Sequence, residues 1–379
     1  MKIRVSWQWV SFKENSHEVY EAMTRRLDFL LISMILVSFT LGFNVQAQET
    51  RRFGLNTTLR TFGEDIRYAG ELGVGTVRVP LQWQLIRIRP GEFDWGTTDR
   101  LLKATQMRQI DVLFTLRSIY SSSTKKHKPP KRGGHERGGH ERGGHAVSPG
   151  HVDIEQWVHF VETLATRYRG QGVNYEIENE VNGEAFWTGT REEYLELLKV
   201  SYNAIKRADP QAKVLPSAMG CGIVRNFQSD SKTQPAWAWH DSWLQPILST
   251  KRVDVVNIHD YYFPSEIVAN ELNFRSYLEH IHGLMKKSGL GDRPVWITET
   301  GYVSSPAEAS GRMDNGSPEK QAKWLAEAYQ QAFEFGVERI YWLLLRDRNE
   351  PYFGSMGLTD EKDNPRPAWN ALQHLTKEK

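Results

Sequence analysis

Residues 175–183 read YEIENEVNG, with Glu176, Glu178 and Glu180 at alternate positions. In an extended strand, side chains alternate faces, so all three acids share one face. A buried carboxylate is costly unless cations or donors meet it. Three in a row therefore imply chemistry, paired cations, or both. A further acid, Glu299, stands in VWITETGY (295–302). Two carboxylates flanking one bond are what glycoside hydrolysis requires: one as acid, the other as nucleophile or base. Arg78 and Arg117 are the cations expected to neutralise Glu176 and Glu178. A lone strand-end glutamate is as readily an ion-pair partner as a catalyst. Glu180 and Glu299 together, facing each other from two strands, favour the catalytic reading.

Eight alternations of a β-like run and an amphipathic helical run supply those strands. The runs are RFGLN (52–56), GTVRVPL (75–81), IDVLFTLR (110–117), GVNYEIENE (172–180), AKVLPS (212–217), VDVVNIHDYY (253–262), RPVWITETGY (293–302) and ERIYWLLLRD (338–347). Such alternation predicts a parallel sheet covered by helices. Eight units predict a (β/α)8 TIM barrel, a single catalytic domain over 48–379. An open doubly wound sheet would bring a Gly-rich phosphate turn after its first strand, and RFGLNTTLR has none. In the barrel the site lies at the strands' C-terminal ends. The polar residues there are Arg78, Arg117, Asn179, Glu180, His259, Asp260, Tyr261 and Glu299. Trp342 lies on the last strand. Trp83, Trp95, Trp187 and Tyr302 follow strand ends, as sugar platforms or as packing.

Composition narrows the partners. The chain has 379 residues, 39% hydrophobic and 25% charged, with a net charge of +2. That balance gives no electrostatic case for nucleic acid. Thirteen Trp and fourteen Tyr are a rich supply for stacking on sugars. The single cysteine, Cys221, rules out an intrachain disulfide and a cysteine metal cluster. A metal hydrolase on this fold would want His-x-His near the first strand, which RFGLNTT lacks. No metal or cofactor is expected.

Residues 23–47 carry basic Arg25 and Arg26, an apolar run from Leu27 to Phe43, and VQA ending at Ala47. That layout predicts a signal peptide cleaved near Ala47 and a secreted or periplasmic enzyme. The alternative is a retained membrane anchor at 27–43; otherwise the mature form has no membrane contact. Residues 1–22 lack signal character and read as a start-site artefact. The segment at about 122–150 holds a tandem HERGG repeat, rich in Gly, Arg and His, and reads as a disordered insertion. Its histidines, His127, His135, His140 and His145, suit adventitious metal binding at most.

The chain resembles the clan A retaining glycoside hydrolases, family 39-like and family 5-like, over most of residues 50–379. YEIENEVN resembles the strand-4 Asn-Glu signature, VWITETGY the strand-7 signature, and VNIHDYY the strand-6 His-x-Tyr element. YNAIKRADPQAKV and YFGSMGLTDEKDNPRPAWNAL resemble the helix-4 and closing regions. The resemblance implies Glu180 as acid/base and Glu299 as nucleophile, in carboxyl groups about 5–5.5 Å apart. It implies that Asn179 contacts the sugar 2-hydroxyl, and that Arg78 and Tyr261 keep Glu299 ionised. The charge on Glu299 would help keep Glu180 protonated. Supporting or sugar-contacting positions are His259, Trp342, Trp187 and Tyr302. The sequence departs where relatives carry Trp at Glu178, Pro at Val181, and a His or aromatic in the LRSIY region. The substrate class implied is a β-linked oligo- or polysaccharide. The competing function is a non-catalytic carbohydrate-binding barrel.

Overall fold

Val, Ile and Leu dominate the eight runs, and each run is followed by a helix with one apolar face. In the computed structural model, residues 49–118, 152–183, 186–187, 189–220, 235–261, 274–309, 312–314, 316–349 and 353–377 are described. They lie within one compact unit, Glu49–Lys379. The leader, the artefact and the HERGG insertion of the sequence reading lie outside the described residues.

The strands are β1 (Phe53–Asn56), β2 (Thr76–Gln82), β3 (Asp111–Arg117), β4 (Val173–Ile177), β5 (Val214–Leu215), β6 (Val256–Tyr261), β7 (Val295–Gly301) and β8 (Val337–Trp342). The helices that follow them are α1 (Phe62–Leu72), α2 (Gly96–Gln106), α3 (Ile154–Arg167), α4 (Arg191–Ala208), α5 (Pro235–Ser249), α6 (Phe274–Lys287), α7 (Pro318–Glu334) and α8 (Pro367–Lys377). The strands pair in parallel in the order β5-β4-β3-β2-β1-β8-β7-β6. The ring is a nearly closed (β/α)8 barrel. At the seam between β5 and β6, the Asp254 amide donates to the Val214 carbonyl at 2.9 Å. The Val214 amide donates back to Asp254 Oδ2 at 3.0 Å.

Helix starts follow from capping chemistry. Asp153 accepts from the Glu155 and Gln156 amides, both at 3.1 Å, and opens α3. Thr190 and Glu193 close a reciprocal capping box at the start of α4. The outward faces of the strands pack with the helices into the main apolar core, which includes Trp157, Phe160, Leu198 and Ile258.

The barrel interior is layered. Its floor is Leu113, Leu215, Val255, Trp296 and Tyr341, with the Tyr341 hydroxyl 2.9 Å from Thr76 Oγ1. Gly54 has no alternative on β1, because the Tyr341 ring fills the space a Cβ would need. The layer above is polar and carries Arg78, Thr115, Glu176 and Asn257. Strand β2 continues four residues beyond Arg78, which therefore sits beneath the mouth and not at a strand end. Strand β7 carries a bulge. Ile297 pairs with Ile258 and Ile340, but the next partners are Glu299 with His259 and Thr300 with Trp342. Thr298 is the extra residue. Trp296 and Glu299 are three apart, so strict alternation would oppose them. The bulge turns both inward.

Candidate active site

Strand β4 stops at Ile177, and the backbone then leaves the extended region. Glu178 has φ +67° and Glu180 has φ +46°, with Asn179 between them. The simple alternation that put three acids on one face holds only as far as the strand does. Left-handed backbone costs a non-glycine residue about 1–2 kcal/mol. Backbone bonds hold the turn in place: Glu178 N to Leu116 O at 3.0 Å, and Glu180 N to Ala218 O at 3.1 Å. Asn182 braces the facing loop, donating to Gly220 O at 3.1 Å and accepting from Gly220 N at 2.8 Å. The Glu180 carboxylate lies against Gly220, where a Cβ would stand 3.0 Å from Glu180 Cδ.

Arg78 organises the polar layer. Its Nε donates to Glu176 Oε2 at 2.6 Å. Its Nη1 donates to Asn56 Oδ1 at 3.0 Å and to Glu299 Oε1 at 2.5 Å. Its Nη2 donates to Asn179 Oδ1 at 2.6 Å. Glu176 also accepts from Thr115 Oγ1 and Asn257 Nδ2, both at 2.6 Å. A fully buried carboxylate is thereby met on both oxygens. Glu178 lies 3.1 Å from Arg117 Nε and accepts from the Ser118 amide at 2.5 Å. Both deeper acids are paired with the two arginines that the sequence singles out.

Glu180 and Glu299 meet at the mouth around His259. His259 Nδ1 is 2.8 Å from Glu180 Oε1 and 3.5 Å from Glu299 Oε2. The Tyr261 hydroxyl donates to Glu299 Oε2. Ligand atoms of Glu180, His259 and Glu299 all lie within 4.8 Å of one another. The carboxylates are 18% and 15% exposed, whereas the imidazole is buried. Burial opposes ionisation of Glu299, but His259, Arg78 and Tyr261 together outweigh it and hold its pKa below the ordinary value. Burial likewise opposes charging His259, and Glu299 and Glu180 outweigh it, so its pKa is raised. Burial depresses the Arg78 pKa less than Glu176 and Glu299 raise it, so it stays charged. Burial raises the pKa of Glu178, against the pull of Arg117 and Ser118.

The structure thus brings together Arg78, Asn179, Glu180, His259, Tyr261 and Glu299. It does not bring the aromatic candidates to them. Trp342 is fully buried, packs on Trp324 with ring centroids 6.1 Å apart, and donates to Met356 O at 2.8 Å. Trp187 is buried edge-on to Tyr194 and donates to Thr190 O at 3.0 Å. Tyr302 is buried against Trp324 at 5.5 Å. Trp83 is buried against Trp157, and Trp95 stacks on Phe160. Sequence reasoning missed Asn56, Thr115 and Asn257. Their signal was inward register: each sits level with or two residues below a polar inward position. Another trio, His240, Asp241 and His280, also converges within 4.8 Å, on α5 and α6. There Asp241 Oδ1 accepts from both imidazoles, at 3.1 and 2.9 Å.

Residues 201–371 match the family described as glycosyl hydrolase catalytic core. The chain is 26% identical over 252 residues to a beta-xylosidase from Caldicellulosiruptor saccharolyticus, covering 59% of this chain and 46% of that protein. It spans about half the length of that curated relative. Among solved structures, a family 39 glycoside hydrolase from Bacteroides cellulosilyticus gives a TM-score of 0.62 at 17% identity, over 87% of this chain and 64% of that one. Xylanase 10B from Thermotoga maritima gives 0.58 at 13% identity, over 88% and 97%. GH5_18 from Streptomyces cattleya, in complex with GlcNAc, gives 0.57 at 17% identity, over 86% and 80%. The (β/α)8 fold is shared with these glycoside hydrolases. Among the described residues no helix is long and apolar enough to cross a membrane.

Proposed function

We propose that the protein is a retaining glycosidase that cleaves an O-glycosidic bond by double displacement. One observation carries the reading. Two carboxylates, on β7 and just beyond β4, present oxygens within 4.8 Å of each other at the barrel mouth. That separation suits direct attack by one carboxylate, whereas an inverting pair stands about 6.5–9.5 Å apart to admit a water.

In the first step the Glu299 carboxylate attacks the anomeric carbon while Glu180 protonates the departing glycosidic oxygen. In the second, Glu180 takes a proton from water, which attacks the same carbon and releases Glu299. The depressed pKa of Glu299 keeps it ionised for attack. Arg78 and Tyr261 each engage one of its oxygens and so fix its orientation. Asn179 Oδ1 faces Arg78, which leaves its Nδ2 for the sugar 2-hydroxyl. The Met23–Ala47 segment, read as a leader, would place this activity outside the membrane.

The beta-xylosidase relative makes aryl β-xylosides the first substrates to assay, ahead of other β-linked glycosides. A 2-fluoro glycoside should label Glu299 covalently, as read by peptide mass, and Glu299→Ala should escape labelling. The released sugar should first appear as the anomer of the substrate by NMR. Inversion, or a label on another residue, would sink the mechanism. Sugar binding with no turnover on any glycoside would leave a binding barrel.

A further inference from the structure

Arg117 is the last residue of β3, two positions beyond Thr115. Alternation places it on the same inward face, one pleat nearer the mouth. It is nine-tenths buried. A guanidinium carries five N–H donors, and those of Arg117 are poorly met. Its Nε lies 3.1 Å from Glu178 Oε2, but that N–H is not aligned on an acceptor. Its Nη2 reaches Phe186 O only at 3.5 Å. Its Nη1 has no hydrogen-bond partner among the described residues. Arg78, one strand away, meets four acceptors. Burying unmet donors costs stability, and a ligand that supplies acceptors recovers it.

Building on the glycosidase reading, we propose that Arg117 is a sugar-binding residue of this site, donating to neighbouring hydroxyl oxygens of a neutral glycone. Charge decides the class. Glu176 is paired with Arg78, and Glu178 with Arg117. Arg78 also serves Glu299, and Glu180 and Glu299 share the imidazole of His259. Among the described residues the mouth has no surplus cation for a uronic acid or a sulfated sugar. Glu178 acts as a positioning residue: it cancels the charge of Arg117 and holds it beside Phe186, whose ring lies 5.6 Å from the guanidinium carbon.

The test is a panel of monodeoxy aryl glycosides, with the matching uronide, on the wild type, Arg117→Ala and the double variant Arg117→Ala/Glu178→Gln. The double variant guards against misfolding caused by a buried, unpaired Glu178. In the wild type, removing the hydroxyl that Arg117 holds should lower kcat/KM about 10- to 100-fold, the size expected for a hydrogen bond to a charged group. Both variants should lose a similar factor on the parent sugar and show no further penalty at that position. The uronide should remain a poor substrate for the wild type. Deoxy penalties that survive in folded variants, or a wild-type preference for the uronide, would overturn the proposal. If the wild type cleaves no glycoside, the enzymatic reading fails by itself. The same deoxy series, followed by calorimetric binding, then decides the role of Arg117.

Discussion

Removing one oxygen atom, in Tyr261→Phe, isolates one of the three influences that hold Glu299 ionised. The hydroxyl donates to Glu299 Oε2, and the carboxylate it serves is only 15% exposed. A hydrogen bond to a charged group in such a place is worth about 1.5–3 kcal/mol. Its loss therefore raises the Glu299 pKa. Arg78 and His259 remain, so the carboxylate still has cations beside it. The proposed mechanism needs Glu299 ionised, so the acid limb of kcat/KM against pH should move upward. Stability follows the same sign. A carboxylate whose pKa is depressed on folding stabilises the native state above its unfolded pKa, near 4.5. That contribution fades as pH falls through the folded value. The variant should therefore be less stable than the wild type by about 1.5–3 kcal/mol at neutral pH. In urea melts the gap should close under acid conditions. An acid limb that does not move, or a stability gap that ignores pH, would refute the view that Tyr261 acts through the charge on Glu299.

Gly220→Ala places a methyl 3.0 Å from Glu180 Cδ and should displace the carboxylate. A fall in kcat/KM of about 10- to 100-fold is expected, with little change in melting temperature; unaltered kinetics would show that Glu180 accommodates the methyl. His259→Gln tests the opposite pH sign. The raised pKa of His259 contributes stability below its ordinary 6.5, and that contribution is lost as pH rises through the folded value. The variant's deficit in urea melts should be largest in mild acid and should shrink in alkali. Trp342→Phe removes a buried N–H bond to Met356 O and should cost about 1–3 kcal/mol in stability, while kcat and KM stay unchanged if Trp342 is only part of the shell.

Alternation and strand order made the barrel and its polar centre legible from the sequence. Strand ends singled out Glu180, Glu299, His259 and Tyr261, because polar residues near the ends of parallel strands converge on one mouth. The acids' burial also anticipated the pairs Arg78–Glu176 and Arg117–Glu178, since buried acids demand cations within reach. The aromatic candidates were harder to place. Trp187, Tyr302 and Trp342 follow or lie on strands whose ends line the mouth, yet each has its polar tip or ring met elsewhere in the protein. Position along the chain does not say which way a large apolar side chain turns, and packing in the helical shell buries it more fully than a rim would.

Two features had no signal in the residue pattern, and both aim a catalytic candidate. Counting from Trp296 on the barrel floor, strict alternation points Glu299 outward into the apolar shell. The bulge at Thr298 reverses that direction and sets Glu299 opposite His259. Counting from Glu176, alternation points Glu180 inward along an extended chain. The left-handed turns at Glu178 and Glu180 instead lift the carboxylate over Gly220 and toward the same imidazole. Each departure carries a local cost: one an interrupted strand ladder, the other strained backbone. Neither brings an evident packing gain to its own strand. Their shared result is to bring two carboxylates within reach of one histidine, and the proposed mechanism gives both irregularities a chemical purpose.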